Sequence, residues 1–179
     1  LPLAADARLL LVGRRNSDDA VLKSIFSRID FQPINLSDDL DAQSVVKNTF
    51  SGSDVDIVVF AAGLLGSQSD LTYAAKIAEL LNVNIVSQIQ LMSAFGERMK
   101  AQRHGKFLVI SSVAAMRPRM SNYFYGASKA AIDFFARGLR QELKQYGRQS
   151  YNCAFFPATL YRAMRKLRRN LTDFMMKDF

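Results

Sequence analysis

The 179-residue chain has one cysteine, one histidine, four prolines and no tryptophan. The single cysteine, Cys153, excludes an internal disulfide framework and a zinc site built from clustered cysteines, and it is typical of a reducing compartment. The nine glycines form no glycine-rich cluster. The longest apolar run, from Ile57 to Leu65, is shorter than the roughly 18 residues that a membrane-spanning helix requires. We therefore expect no membrane span.

The composition is otherwise that of one soluble globular domain, because 49% of the residues are hydrophobic and 22% are charged. A chain of this length buries roughly 70% of its unfolded surface, which is enough for a complete core. At the amino terminus no basic stretch precedes the apolar residues, and that run ends in Arg14 and Arg15. This pattern is unlike a secretory signal peptide and favours a cytoplasmic location.

The net charge is +8, from 24 basic and 16 acidic residues, and half of the excess lies in the last twenty residues. We predict a basic amphipathic helix over residues 158–179, following a single domain over residues 1–157. Such a helix binds an anionic membrane surface, or it packs on its own domain or on a partner subunit. Both alternatives stay open. The basic side chains are Arg162, Arg165, Lys166, Arg168, Arg169 and Lys177, and the apolar stripe is Leu160, Met164, Leu167, Leu171, Phe174 and Phe179.

Short apolar runs alternate with longer amphipathic segments along the rest of the chain. Strands that are apolar on both faces and joined by helices predict a doubly wound, parallel α/β sheet of the Rossmann-like type. Ligands bind outside the carboxyl ends of such strands, so we look for chemistry after Val12, Ala62 and Ile110. The predicted strands are 7–12, 31–36, 55–62, 106–111 and 151–155, and the predicted helices are 18–28, 42–50, 72–103 and 125–146.

Four polar residues are predicted to meet at this edge of the sheet. Tyr125 and Lys129 are four residues apart on one helical face, where the ammonium lowers the pKa of the phenol. That spacing alone also fits an ordinary surface pair. Ser112 follows a predicted strand, and Asn84 lies in an apolar stretch of the long helix, where its amide needs a partner.

With these residues in place, the sequence resembles the short-chain dehydrogenase/reductase family from Ala7 to about Phe155. The resemblance implies that Tyr125 is the general acid for carbonyl reduction and that Ser112 holds the carbonyl oxygen. It implies that Lys129 lowers the pKa of Tyr125 and binds the nicotinamide ribose, while Asn84 keeps a water relay in place behind Lys129. The matching motifs are Ala61-Ala62-Gly63, Val83-Asn84-Ile85, Ile110-Ser111-Ser112 and Tyr125-Gly126-Ala127-Ser128-Lys129.

The cofactor half of the family pattern is incomplete in this sequence. A dinucleotide fold needs a glycine-rich turn after its first strand, and only six residues precede the predicted strand at Ala7. The resemblance thus implies that the first strand and its glycine-rich turn are missing from the sequence. A second segment, the substrate loop, is missing near Pro157.

Gly13 is followed by Arg14 and Arg15, at the position where arginine pairs with the 2'-phosphate of NADP. NADP is therefore the expected cofactor, with NAD possible and a solvated basic pair as the alternative. The resemblance places Leu36 at the border of the adenine and the turn Ala61, Ala62 and Gly63 beside the cofactor.

Three classes of function remain open. An NADP-dependent carbonyl or alcohol oxidoreductase accounts for the complete tetrad, whereas a nucleotide-sensing regulator on the same fold often lacks the tyrosine or the lysine. A lipid- or nucleic-acid-binding module would use the basic tail alone, and we expect no nucleic-acid partner and no metal. A homo-oligomer is expected, since helix-face dimers are common in the resembled family.

Short motifs also resemble one branch of that family, the 2-keto-ribose reductase subunits of decaprenylphosphoryl-ribose epimerases. These motifs are Gly63-Leu64-Leu65-Gly66, Arg117-Pro118-Arg119-Met120 and the basic tail. The resemblance implies a polyprenyl-phosphate keto-sugar substrate and a peripheral position at the inner membrane face.

We predict that the tail mediates salt-sensitive binding to anionic vesicles. Each lysine or arginine at such a surface contributes about 1 kcal/mol, and salt screens the attraction within roughly 8 Å at physiological ionic strength. Co-sedimentation at low and high salt, with the full chain and a variant ending at Pro157, measures this. If the full chain fails to bind at low salt, or if truncation unfolds the domain without altering lipid binding, the tail belongs to the core or to a subunit interface.

Overall fold

The computed structural model describes residues 7–14, 20–67, 69, 72–146 and 154–155. Strands and helices alternate along the chain, as the periodicity predicts. The strands are β1 (Arg8–Gly13), β2 (Arg28–Pro33), β3 (Ile57–Phe60), β4 (Lys106–Val109) and β5 (Ala154–Phe155). The helices are α1 (Ala20–Ile25), α2 (Ala42–Thr49), α3 (Ala74–Leu81), α4 (Ser87–Gln102) and α5 (Tyr123–Leu143), with a π-helical turn at Asn82–Val86 and a 3-10 turn at Val113–Ala115.

All strand pairs are parallel, and they form two sheets, β1-β2 and β3-β4-β5. Doubly wound sheets commonly have the strand order 3-2-1-4-5-6. The two observed sheets match positions 3-2 and 4-5-6 of that order, and the described part of the chain has no strand at position 1. The Rossmann-like fold class is therefore confirmed.

Strand β3 is less buried than its apolar sequence predicts. The side chains of Ile57 and Val59 are 39% and 53% exposed, whereas Phe60 is buried. Among the described residues β3 pairs only with β4, and Ile57 and Val59 lie on the face opposite Phe60, outside the hydrophobic core. On β4, Phe107 and Val109 are each 1% exposed, because they lie on the same face as Phe60 and belong to the hydrophobic core.

Two predicted boundaries near the amino terminus are wrong. The first helix ends at Ile25 rather than Arg28, and the second strand is Arg28–Pro33 rather than 31–36. An ion-pair cluster lies at the observed start of the strand, where Asp30 accepts from Arg8 at 2.7 Å and from Arg28 at 3.0 Å. These contacts align the start of β2 with β1. The predicted caps of the first helix, Asn16 and Ser17, lie outside the described residues.

The packing of α4 against α5 forms the centre of the core. Met92, Met99, Ile132 and Leu143 have no exposed surface, and complete burial of such a side chain contributes about 1.5–3 kcal/mol. At Gly96 a Cβ atom would lie 3.2 Å from Leu139, so the helices approach closely there. This rigid pair positions the polar residues near the start of each helix.

The long carboxyl-terminal helix of the described region begins two residues earlier than predicted and ends three residues earlier, at Leu143. Tyr146, which the pattern places on the apolar stripe, is half exposed, and the Lys100 ammonium lies 5.3 Å from its ring centroid. No helix in the described ranges is long and apolar enough to cross a membrane. The predicted tail helix and the domain boundary at residue 157 lie outside those ranges and stay predictions.

Candidate active site

Lys129 lies at the carboxyl ends of two neighbouring strands. Its side chain enters from α5 and is almost fully buried, with 3% of the residue exposed. The Nζ atom donates to the carbonyl of Ile110 at 3.2 Å and to that of Ala62 at 3.4 Å. These carbonyls follow β4 and β3, so the ammonium joins the two strand ends at the edge where the sequence predicts the site.

Burial lowers the pKa of Lys129 from 10.5 to about 8, because leaving water disfavours the charged form. The charge of Asp133, one helical turn further along α5, acts in the opposite direction. Lys129 is thus an unusual lysine that changes charge close to neutral pH. Shifts of this size are typical of functional sites.

Asn84 is completely buried and connects the turn after β3 with α5. Its Oδ1 accepts from the Leu64 backbone amide at 2.6 Å, and its Nδ2 donates to the Leu64 carbonyl at 2.8 Å. The same Nδ2 donates to the Ser128 hydroxyl at 2.9 Å, and that hydroxyl donates to the Tyr125 carbonyl at 2.8 Å. Every hydrogen-bonding group of the Asn84 amide therefore serves the site. Its proposed water relay stays a prediction.

The helix around Asn84 is a π-helical turn, which the predicted continuous helix over residues 72–103 does not anticipate. Single π turns inside α-helices occur frequently at functional sites. Two further polar contacts hold this turn: Asn82 Nδ2 donates to the Ser37 carbonyl at 2.8 Å, and Gln88 Nε2 donates to the Ala62 carbonyl at 2.8 Å.

The sequence analysis missed Gln88 and Ser128 as members of the site. Gln88 is 2% exposed and shares the Ala62 carbonyl with Lys129. A signal was available for both residues. Gln88 lies four residues after Asn84, which puts both on one helix face, and Ser128 immediately precedes Lys129.

Gly63 allows the turn after β3 to lie directly against the lysine. A Cβ atom there would be 3.1 Å from Lys129 Nζ and 3.5 Å from Asn84 Oδ1. A side chain would therefore displace the ammonium or the amide. Ala61 and Ala62, the other two predicted residues of this turn, are half-buried.

Ser112 and Tyr125 come to the site through a close contact between the loop after β4 and the first turn of α5. The Ser112 hydroxyl accepts from the Ala114 amide at 3.2 Å, and a Cβ atom on Gly126 would collide with the Ala114 carbonyl oxygen. The ring centroid of Tyr125 lies 5.9 Å from Lys129 Nζ. The structure thus gathers all four tetrad residues around the ends of β3 and β4.

The predicted adenine-side residues lie after the ends of the other sheet. Arg14 is exposed directly after β1. Leu36 is half-buried beyond the end of β2, and its carbonyl accepts from the Ser87 hydroxyl at 2.7 Å. Arg15 lies outside the described residues, so its role stays a prediction.

Replacing Lys129 by methionine should change the pH dependence of stability. The pKa of Lys129 is about 8 in the folded chain and 10.5 when unfolded, so between these values the unfolded chain binds more protons and wild-type stability gains with rising pH. The free energy of unfolding of wild type, relative to Lys129→Met, should increase by about 3 kcal/mol across this window. Urea denaturation at several pH values measures it. A difference that does not vary with pH would contradict the burial of a titrating ammonium.

Comparisons with known proteins agree with this geometry. The sequence profile of the family described as short chain dehydrogenase matches residues 3–166. An uncharacterized oxidoreductase of Streptomyces coelicolor is 28% identical over 147 residues, covering 79% of this chain and 59% of the relative. The very-long-chain 3-oxoacyl-CoA reductase-A of Danio rerio is 29% identical over 148 residues, covering 78% of this chain and 46% of that protein.

Solved structures share the fold. A metagenomic short-chain oxidoreductase in complex with NADP superposes with a TM-score of 0.72 at 21% identity, covering 84% of this chain and 69% of that one. The bulky-bulky ketone specific alcohol dehydrogenase from Comamonas testosteroni gives 0.67 at 24% identity, covering 83% and 61%. The chain spans less than two thirds of the curated relatives named above. With the profile matched over most of its length and the four motif residues gathered at one sheet edge, the chain belongs to the short-chain dehydrogenase/reductase family.

Proposed function

We propose that the protein is an NADP-dependent oxidoreductase that reduces a carbonyl group, or oxidises the corresponding alcohol. The observation that carries this proposal is the buried Lys129 ammonium between the ends of β3 and β4, with Tyr125 one helical turn away. Burying an ammonium costs free energy unless the charge is paired and hydrogen-bonded. Its position beside a phenol gives it a chemical use.

The described residues fit the nicotinamide-ribose end of the cofactor. Lys129 and Tyr125 supply an ammonium and a hydroxyl, which are suitable partners for ribose hydroxyls, and Gly63 leaves the backbone without a side chain beside them. Arg14 is exposed where a 2'-phosphate would be bound. The glycine-rich turn that would bind the pyrophosphate has no counterpart in this sequence.

Each residue of the site has a separate role in carbonyl reduction. The cofactor supplies a hydride to the carbonyl carbon when it is bound. Ser112 donates a hydrogen bond to the carbonyl oxygen and orients it. Tyr125 gives that oxygen a proton, and the neighbouring Lys129 charge stabilises the phenolate that remains. Asn84 and Ser128 hold the first turn of α5, and with it Tyr125, in position.

The names of similar proteins support a carbonyl or alcohol substrate. The similar proteins include a 3-oxoacyl-CoA reductase and a ketone-specific alcohol dehydrogenase, and one solved neighbour holds NADP. A nucleotide-sensing regulator would not need the tyrosine, the serine and the lysine together. We therefore place that alternative second, and a lipid- or nucleic-acid-binding module third.

Within this function we propose a lipid-linked substrate, a polyprenyl-phosphate keto-sugar. The loop between Ser112 and Tyr125 supports it, since it exposes apolar and cationic side chains together. Met116 and Met120 are 69% and 90% exposed, and Arg117 and Arg119 are exposed beside them. Such a surface suits an apolar chain that carries a phosphate. The vesicle experiment described for the tail tests the accompanying location, a cytoplasmic protein in a peripheral position at the inner membrane face.

We also propose a homo-oligomer. Phe134 on α5 is 77% exposed, and burying this large aromatic side chain against a second copy of the chain would be favourable. Sedimentation equilibrium measures the oligomeric state directly, and a monomer at all concentrations would refute this proposal.

Tyr125→Phe should fold normally and lose most of its carbonyl reduction. General acid catalysis contributes about 100- to 10,000-fold, so kcat should fall within that range. Turnover with NADPH and a panel of ketones and keto-sugars measures it. Tyr146→Phe is the matched control, because Tyr146 is half exposed near Lys100 and loses the same hydroxyl. Near-full activity in Tyr125→Phe would remove Tyr125 as the proton donor.

NADPH should bind at least about tenfold more tightly than NADH, because a guanidinium and a 2'-phosphate form a charge-assisted contact. The double variant Arg14→Ala, Arg15→Ala should abolish that difference, whereas Lys47→Ala, an exposed cation on α2, should preserve it. Fluorescence titration measures both affinities. Equal affinities for the two cofactors in the wild type would mean that the arginine pair is only solvated.

A further inference from the structure

Asp133 is a buried acid that the proposed mechanism does not use. It lies on α5, four residues after Lys129 and therefore on the same helix face. Only 9% of the residue is exposed. Its Oδ1 atom is fully buried and has no hydrogen-bond partner among the described residues. Unpaired charged oxygens are costly in a protein interior, so a buried carboxyl in this place requires a reason.

Two neighbours act on this carboxyl from different elements. The Ser111 hydroxyl, in the loop after β4, hydrogen-bonds to it and favours its charged form. Arg137, one turn further along α5, donates from Nε to the Asp133 backbone carbonyl at 3.3 Å, and its charge also favours the carboxylate. Burial acts in the opposite direction and raises the pKa of Asp133.

Lys129 lies one turn before Asp133 on the same face of α5, and its charge also favours the carboxylate. The lysine is bound by two neutral carbonyls, those of Ala62 and Ile110, and neutral acceptors do not balance a positive charge. Asp133 is the acid whose charge reaches this ammonium. Lys129 and Asp133 are thus a buried base and acid one helical turn apart, and Ser111 joins the acid to the strand end that supplies the Ile110 carbonyl.

We propose that Asp133 is a positioning residue that keeps Lys129 protonated and directed towards the ends of β3 and β4. This inference rests on the proposed function only where it concerns catalysis, since the charge of Lys129 can be measured without cofactor. The charge of Lys129 affects the proposed reaction directly. A neutral Lys129 amine would no longer stabilise the Tyr125 phenolate, so Asp133 sets the upper pH at which the site works.

The groups that face Lys129 are few, which makes the prediction specific. From α5 they are Tyr125 and Asp133, with Arg137 behind the acid. The loops after β3 and β4 contribute backbone carbonyls, and the π-helical turn contributes the neutral amide of Asn84. Among these, only the Asp133 charge raises the pKa of Lys129.

The test is a proton titration of Lys129 in the cofactor-free chain. The ¹³Cε and ¹Hε resonances of labelled lysine, assigned with Lys129→Met, report the charge of the amine. In Asp133→Asn the Lys129 titration should move to lower pH by on the order of one unit, and Asp133→Glu should restore it. Glu142→Gln, which removes another carboxylate of α5 that contacts Lys100 on α4, should leave Lys129 unchanged. An unchanged Lys129 titration in folded Asp133→Asn overturns the proposal.

A second measurement needs no variant and remains decisive if Asp133→Asn fails to fold. In the wild type, the ¹³Cγ resonance of Asp133 should show an inflection at the pH where Lys129 titrates, because paired groups sense each other's charge. Absence of that inflection overturns the proposal. The pH profile of kcat/KM then separates the effect of Asp133 on Lys129 from the proposed catalytic role of Lys129. If Lys129 responds to Asp133→Asn while the alkaline limb of turnover does not move, the pairing holds and the catalytic role of Lys129 fails.

Discussion

The site is organised around one buried positive charge. An ammonium that leaves water loses several kcal/mol of solvation unless nearby groups replace it, and here the carbonyls of Ala62 and Ile110 do so from two different strand ends. Because both carbonyls point to one Nζ atom, the ends of β3 and β4 are held at a definite separation. The turn at Gly63 must then lie flat against the lysine, and Asn84 must fix that turn from behind.

The burial of the Lys129 ammonium suits the proposed chemistry but lowers the stability of the fold. Lowering the pKa of Lys129 to about 8 means that the folded chain would be more stable with a neutral group at that position. The packing of α4 on α5 offsets the cost, since Met92, Met99 and Ile132 are completely buried between or beneath these helices. The apolar core of the helix pair therefore supports a polar site that does not stabilise the fold by itself. Strained or costly groups of this kind are common where chemistry occurs.

The residues that could be predicted from sequence are those with a local signature. Tyr125 and Lys129 share a helix face and Ser112 follows a strand, and these spacings, taken together with the motif around Asn84, place them at one edge. Asp133 could not be found in this way, since a polar residue on an amphipathic helix looks the same whether it faces solvent or a buried lysine. The early boundary of β2 was equally hidden, because it depends on Asp30 meeting Arg8 across the sheet.

The π-helical turn has a consequence for the whole helix that carries it. The distance along the chain from Leu80 to Met99 is one residue longer than five turns of a regular α-helix, and each residue of such a helix rotates the side chain by about 100°. In an unbroken α-helix these two buried side chains would point about 100° apart. The wide turn at Asn82–Val86 takes up the extra residue. The π-helical turn thus brings the buried side chains before and after it closer to one side of the helix. The same turn widens the helix at Asn84, so one irregularity serves both the core and the site.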